Sequence, residues 1–269
     1  MKISASVVFF KTNQAIVASL LQCIAKSSIK MDIYCIDNSP TDALAKICAE
    51  FDTKYIHNPS NPGFGAAHNI AIQKIESDIH FIINPDIKFE QNAIEIMAEK
   101  IYQDTRLAAI TPRVVYPDHR IQHLCKLLPT PINLITRRFI PFLAKTLDKD
   151  YEMQWFGYNM EIFLPCATGC FIGIKTKLLQ KESGFDEHFF MYMEDIDLSR
   201  RIAKHGKILF SPSTTVVHEF ARTSYKNKKL LLAHIKSAIY YFKKWGWFFD
   251  GERVRINSNI RRQMTLLHK

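Results

Sequence analysis

No apolar run in this chain approaches the 18 or so residues that cross a bilayer, so the sequence reads as soluble or peripheral. No Cys-x-x-Cys pair occurs and no histidine stands at ligand spacing from a cysteine. The six cysteines, at positions 23, 35, 48, 125, 166 and 170, are expected as buried free thiols in a reducing compartment. No nucleophile elbow or serine-triad signature is present, nor any internal repeat or low-complexity segment. Near the N-terminus, Ile3 to Phe10 runs into Lys11 with no small-residue cleavage site after it, which predicts a strand and not a signal peptide. Acidic residues are scarce at the C-terminal end. From Arg222 to Lys269 twelve lysines and arginines face only Asp250 and Glu252, so the whole net charge of +10 sits there and residues 1–221 are formally neutral.

What is present is enough apolar sequence for a sizeable core, 47% of 269 residues. The first hundred residues alternate strand-like runs (4–10, 31–36, 54–57, 79–83) with helical patterns (13–25, 41–51, 65–75, 90–101). This alternation predicts βαβ units, hence an α/β fold with a mostly parallel central sheet and flanking helices. Ligands of such sheets lie beyond the carboxyl ends of the strands. Residues 113–160, interrupted by prolines 117, 129, 131 and 141, lose the rhythm and read as a loop region or an insertion over the active face. Strands at 162–165, 167–174, 207–210 and 215–217 and helices at 176–182, 194–205 and 228–245 follow.

Three polar motifs fall at predicted strand ends. Asp37-Asn38 either accepts from a nucleoside or caps the next helix. The segment from His57 to Asn69 places Asn58, Gly63 and Gly65 where a helix opens; it either admits a phosphate to backbone N–H groups or is an ordinary strand-to-helix loop. Asn84-Pro85-Asp86 either offers a carboxylate to a hard divalent cation or forms a turn. His218, ending a strand, is a candidate metal ligand beside Asp86 or a structural histidine. The most informative stretch is Phe189 to Arg201, in which an aromatic, apolar run ends in Glu194, Asp195 and Asp197 at a helix start. Apolar neighbours raise a carboxyl pKa, whereas a helix N-terminus and nearby Arg200, Arg201 and Lys204 favour the charged form. Such opposed influences tune a general base, and Glu194 and Asp195 are the candidate catalytic pair. The plainer alternative is an i,i+4 pair between Asp197 and Arg201 on a solvated face.

Taken in order, Asp37-Asn38, Asn58, Gly63-Phe64-Gly65, Asn69, Asn84-Pro85-Asp86, Gly169-Cys170, Gly184-Phe185-Asp186-Glu187 and Glu194-Asp195-Ile196-Asp197-Leu198 resemble family 2 glycosyltransferases. Within them the order resembles the rhamnosyltransferase-like branch that builds bacterial surface polysaccharides and lipopolysaccharide. The resemblance implies the A-type nucleotide-diphospho-sugar transferase fold and inverting transfer of a sugar, rhamnose in that branch, from a nucleotide diphosphate donor to a glycan or lipid-linked glycan acceptor. It implies Asp37 on the nucleobase, Asp86 on a Mg²⁺ or Mn²⁺ ion that holds the diphosphate, and Asp195 as base. Asn38, Asn58, Gly63, Gly65, Asn69, Asn84 and Gly169 are expected around the nucleotide sugar, and His218 beside the metal. Asn-Pro-Asp replaces the Asp-x-Asp of many relatives, which removes one metal carboxylate.

Residues 1–221 are expected as the catalytic domain and 222–269 as a basic, aromatic helical extension. Leu231, Ile235, Ala238, Phe242 and Trp245 form an apolar stripe among lysines that either docks on the catalytic domain or lies on an anionic membrane. The expectation is a cytoplasmic enzyme, peripheral at the inner face of the plasma membrane, with no nucleic-acid partner. A glycoside hydrolase would use the paired carboxylates but leave Asn84-Pro85-Asp86 without a purpose. A nucleic-acid-binding module rests on the tail alone, and an inactive nucleotide-sugar-binding scaffold is opposed by intact Asp86 and Asp195.

Overall fold

In the computed structural model, β1 (Ile3–Phe9), β2 (Asp32–Asp37), β3 (Lys54–His57) and β4 (Ile79–Ile83) form where the apolar runs predict them. The structure describes residues 1–139, 147–219 and 228–267. These strands join β5 (Ile87–Phe89), β6 (Leu107–Val115), β8 (Phe171–Lys175) and β9 (Lys207–His218) in the order β3-β2-β1-β4-β8-β6-β9-β5, with β7 (Ile162–Leu164) pairing β9. The half built from β1 to β4 is parallel. Beyond it the sheet is mixed, with β8 antiparallel to β4 and β6, and β9 parallel to β6 but antiparallel to β5 and β7.

Central strands are buried on both faces, which is why they read as continuous apolar runs. Their side chains still alternate. Val7, Phe9, Cys35 and Phe81 enter one core, beneath the helices Gln14–Ala25 and Ala93–Gln103. Tyr34, Ile36 and Ile82 enter the other, with residues of the helices Phe64–Ile72, Thr176–Lys181, Glu194–Ile202 and Gly251–Leu267. Within the sheet Ser4 and Ser6 hold His80 at 2.7 Å on each ring nitrogen, and Ser6 also meets His68. Burial drives both imidazoles down to about 3, so the chain of contacts is uncharged at neutral pH.

Three differences from the sequence reading have identifiable causes. The 207–210 and 215–217 runs are one strand, because the register jumps from Pro112↔Ser211 to Arg113↔Thr215 and lets residues around Pro212 bulge out. The 113–160 stretch contains the end of β6 and a helix, Pro131–Phe139. The helix Gly251–Leu267 puts only a short apolar contact, Ile256 and Ile260, on the core, and amides also anchor it. Asn257 both accepts from the Leu128 N–H and donates to its carbonyl, and Gln263 does the same at Phe163. The expected domain boundary at residues 221 and 222 and Pro141 lie outside the described residues.

Candidate active site

Parallel pairing brings the carboxyl ends of β2, β3 and β4 to one rim. Antiparallel pairing of Ile83 with Phe171 puts the start of β8 there, and pairing of Ile87 with His218 puts the end of β9 there. Asp37 is fully buried, accepting from the Ser39 N–H at 2.9 Å and the Tyr55 hydroxyl at 2.8 Å. It shapes the rim, and the direct nucleobase contact expected of it is not accessible; nor does it cap a helix, since the next one starts at Ala45. Asn58 donates to Asn38 at 2.9 Å, tying the ends of β2 and β3 together.

The two glycines are explained by packing. At Gly63, with φ of +112°, a Cβ would sit 2.2 Å from the Phe190 carbonyl oxygen, and at Gly65 one would sit 2.7 Å from the Phe185 side chain. The Phe64 N–H donates to that same Phe190 carbonyl at 2.9 Å and is not open to a phosphate. Asn69 is likewise occupied. Its amide donates to the Phe185 carbonyl and Glu187 and accepts from the Phe185 N–H, so it clamps the segment that leads to Glu194. These residues position the catalytic segment, where the sequence reading placed them on the ligand.

Asp86 Oδ1 lies 3.3 Å from His218 Nε2. The amide of Gln122 donates to the His218 carbonyl at 2.8 Å, which orients its Oε1 toward His218 Nδ1 at 3.0 Å. With the imidazole proton on Nδ1, toward that acceptor, the Nε2 lone pair faces Asp86. Two electron-pair donors facing each other suit a shared cation, and the pair fits Mg²⁺ or Mn²⁺. Among the described residues no group of three or more His, Cys, Asp or Glu could hold a metal, so water and substrate oxygens would complete the coordination. Gln122 had no sequence signal. Gln122→Leu is expected to weaken Mn²⁺ affinity by about 10- to 100-fold, the usual cost of losing a ligand's hydrogen-bonded support; metal titration checks it.

The helix Glu194–Ile202 starts after two non-glycine residues with positive φ, Tyr192 at 71° and Met193 at 70°. Strain of this kind is held in place by its surroundings and clusters at functional sites. Here it is held by Phe189, Met193, Tyr241 and Phe242, which pack as one cluster. Both oxygens of Asp195 are anchored, Oδ1 by the Ile196 N–H at 2.8 Å and Oδ2 by the Gly169 N–H at 3.2 Å. Gly169 thus holds Asp195, while the Asn84 N–H donates to the Cys170 carbonyl at 2.8 Å and joins the 84–86 turn to the same loop. Burial raises the Asp195 pKa, against the Gly169 N–H and the charge of Lys126. Arg200 and Arg201 are committed elsewhere, to Asp250 and Glu252 and to Asp197, so Lys126 from the patternless stretch is the cation that matters to the base.

Glu194 is buried, and among the described residues its Oε2 has no hydrogen-bond partner. Burial and the Asp195 charge push it well above the usual carboxylate range, which favours a neutral Glu194 and leaves Asp195 as the candidate base. Glu194→Gln, which preserves a neutral donor, is expected to keep kcat within about tenfold, less than the loss typical of a missing general base. A larger loss in steady-state rates would move the base to Glu194.

Both carboxyls line a cavity of about 270 Å³ together with Leu124, Lys126, Leu134, Thr168, Leu231 and His234. The tail helix Lys228–Trp245 therefore forms part of the site wall. Asp197 faces no solvent. It accepts from Trp245 Nε1 at 2.8 Å and from Arg201, and pairs with Lys244 at 2.7 Å.

Several known proteins are similar to this chain in sequence or fold. The family model described as "Glycosyl transferase family 2" matches residues 4–163. The N-acetylglucosaminyl-diphospho-decaprenol L-rhamnosyltransferase of Mycobacterium tuberculosis is 23% identical over 256 residues, covering 86% of this chain and 81% of that protein. Rhamnosyltransferase WbbL of Escherichia coli K12 is 23% identical over 243 residues, covering 86% of this chain and 87% of that protein. Among solved structures, GalNAc-T7 with UDP, GalNAc and Mn²⁺ superposes with a TM-score of 0.66 at 15% identity over 91% of this chain, which spans only 48% of that one. The mannosyltransferase PcManGT of Pyrobaculum calidifontis, in complex with GDP-Man and Mn²⁺, gives 0.57 at 13% identity over 88% of this chain and 64% of its own. The A-type glycosyltransferase fold is thereby shown, and with a family model that matches more than half of its residues this chain belongs to glycosyl transferase family 2.

Proposed function

We propose that this glycosyltransferase moves a sugar, rhamnose by likeness to its relatives, from a nucleotide diphosphate donor to a lipid-linked glycan acceptor with inversion. The observation that carries the reading is the combination of a half-buried, anchored Asp195 at a cavity with Asp86 and His218 at the sheet rim. Asp195 takes the proton of the acceptor hydroxyl as that oxygen attacks the anomeric carbon; the nucleoside diphosphate leaves from the opposite face. A divalent ion on Asp86 and His218 supplies positive charge to the departing diphosphate when bound. The nucleotide lies along the rim built by Asn38, Asn58 and the 84–86 turn. Asp86→Ala is expected to lower donor affinity in Mn²⁺ to the level wild type shows in chelator; calorimetry in which chelator leaves wild-type donor affinity unchanged would sink the metal assignment.

The same reading places the protein in the cytoplasm at an anionic membrane. The tail stripe divides. Phe242 is buried and Trp245 packs on the catalytic helix, but Leu232, Ile235 and Ile239 are exposed on the outer face with Lys236 and Lys243. Lys244 is tied to the protein, pairing with Asp186 and Asp197 at 2.7 Å each. Charge reversal at Lys236 and Lys243 is therefore expected to release the protein from anionic vesicles while sparing transfer to a short soluble acceptor, each lysine contributing about 1 kcal/mol at such a surface. Co-sedimentation indifferent to lipid charge and to salt would show the face to be merely solvated.

A further inference from the structure

Among the described residues, the lining of the cavity at Asp195 includes none of Asp37, Asn38, Asp86 or His218, the residues expected to face the donor. Its acidic and basic side chains fall into two kinds. Asp195 and the protonated Glu194, whose Oε2 is buried without a partner among the described residues, suit sugar hydroxyls, one as acceptor and the other as donor. Lys126 and His234 suit an anion. Lys126 lies close enough to Asp195 to favour its ionised form, and the His234 ring is 4.8 Å from the ring of Tyr192, just before the base.

Between the polar groups the wall is aliphatic, with Leu124, Leu134, Leu230 and Leu231. Two of the contributing helices, Pro131–Phe139 and Lys228–Trp245, also expose aliphatic side chains, Ile132 and Ile135 on one and Leu232, Ile235 and Ile239 on the other. A neutral glycan offers neither an anion to Lys126 and His234 nor a chain to the leucines. A sugar that carries phosphate at its reducing end and an aliphatic chain beyond it would use both.

We propose that Lys126 and His234 form the subsite for the reducing-end phosphate of a lipid-borne acceptor, with Glu194 donating to a sugar hydroxyl next to the one Asp195 deprotonates. The assignment rests on the reading of Asp195 as the base. It makes Lys126 a residue that selects the acceptor and does more than tune the carboxylate beside it.

Binding can be measured apart from catalysis, by calorimetry on the whole chain in chelator, which silences metal-dependent donor binding. The probes are farnesyl diphosphate, farnesol and inorganic pyrophosphate. Wild type is expected to bind farnesyl diphosphate more tightly than either of the others. Lys126→Met should weaken that binding by about 10- to 100-fold, the range of one charge-assisted hydrogen bond, with farnesol unaffected and Lys126→Arg close to wild type. Equal affinity for diphosphate and alcohol, or an unchanged Lys126→Met, overturns the subsite; equal affinity for farnesyl diphosphate and pyrophosphate overturns the lipid-borne source. In turnover with a lipid diphosphate sugar, Lys126→Met should raise acceptor KM and leave donor KM alone. A fall in kcat with a shifted acid limb and unchanged KM would show that Lys126 only tunes Asp195. Retained transfer by Asp195→Asn would remove the base assignment while leaving the binding results to stand on their own.

Discussion

Asp195→Asn is expected to lower kcat by on the order of 10³-fold while donor affinity stays within about twofold of wild type, because the amide has no basic lone pair with which to take the acceptor proton. The substitution is not entirely silent for structure. Both carboxylate oxygens accept a backbone N–H, at 2.8 Å from Ile196 and 3.2 Å from Gly169, and an amide offers only one oxygen. The longer contact to Gly169 is the one to be lost, so melting temperature and donor titration are needed beside the rates. With wild-type enzyme, kcat/KM should fall as pH drops through the Asp195 pKa. Burial raises that pKa, so the inflection should lie above the ordinary aspartate range, and activity should be present on its alkaline side. Near wild-type turnover by Asp195→Asn, or a rate that shows no acid limb, would remove Asp195 from the mechanism.

The parts of this site that could be read from the sequence are those whose signal is local. Four apolar runs alternating with helical patterns specified the parallel half of the sheet, and strand ends then located Asp86, while the strand ending at His218 brought in its partner at 3.3 Å. The change from aromatic to acidic residues at Glu194 marked the catalytic helix for the same reason. What misled was small or polar residues whose partners lie far along the chain. Gly63, Gly65 and Asn69 looked like a phosphate loop, yet they meet Phe190, Phe185 and Glu187, more than a hundred residues away. Lys126 and Gln122 had no pattern to announce them, because the segment that holds them is fixed by single side chains. Tyr158 donates to the Cys125 carbonyl, and Asn257 grips Leu128 through both of its amide groups. Sequence periodicity reports burial of apolar faces, and this part of the wall is built from amides and hydroxyls on backbone.

The second large effect is expected at Asp250, on the tail and away from the cavity. Arg200 is 2% exposed, and its guanidinium donates to Asp250 at 2.7 and 3.1 Å, to Glu252 at 2.8 Å and to the Tyr241 hydroxyl at 3.2 Å, with the Trp245 ring 4.1 Å away. Burial of Asp250 opposes its ionisation, but Arg200 outweighs this and holds the carboxyl below its usual range. Asp250→Ala strips the main counter-ion from a buried cation, which typically costs about 3–5 kcal/mol. It also removes the acceptor for the Arg253 N–H at 2.9 Å, a helix cap worth about 1 kcal/mol. A fall in Tm of about 10 °C is therefore expected by calorimetry. Activity should fall with it, since Arg200 sits on the helix that begins with Glu194 and Asp195, while Tyr241 and Trp245 belong to the helix that walls the cavity. The double variant Arg200→Met, Asp250→Leu separates the two effects. Apolar side chains of similar volume remove both charges, so stability should largely return, as it does when other buried ion pairs are replaced whole. Arg200 no longer bonds the Tyr241 hydroxyl or lies on the Trp245 ring, contacts that hold the cavity-wall helix to the helix beginning at Glu194, so kcat should stay low. An Asp250→Ala protein that melts like wild type would mean that Glu252 alone neutralises Arg200; a double variant with full activity would mean that the network stabilises the tail without aligning the base.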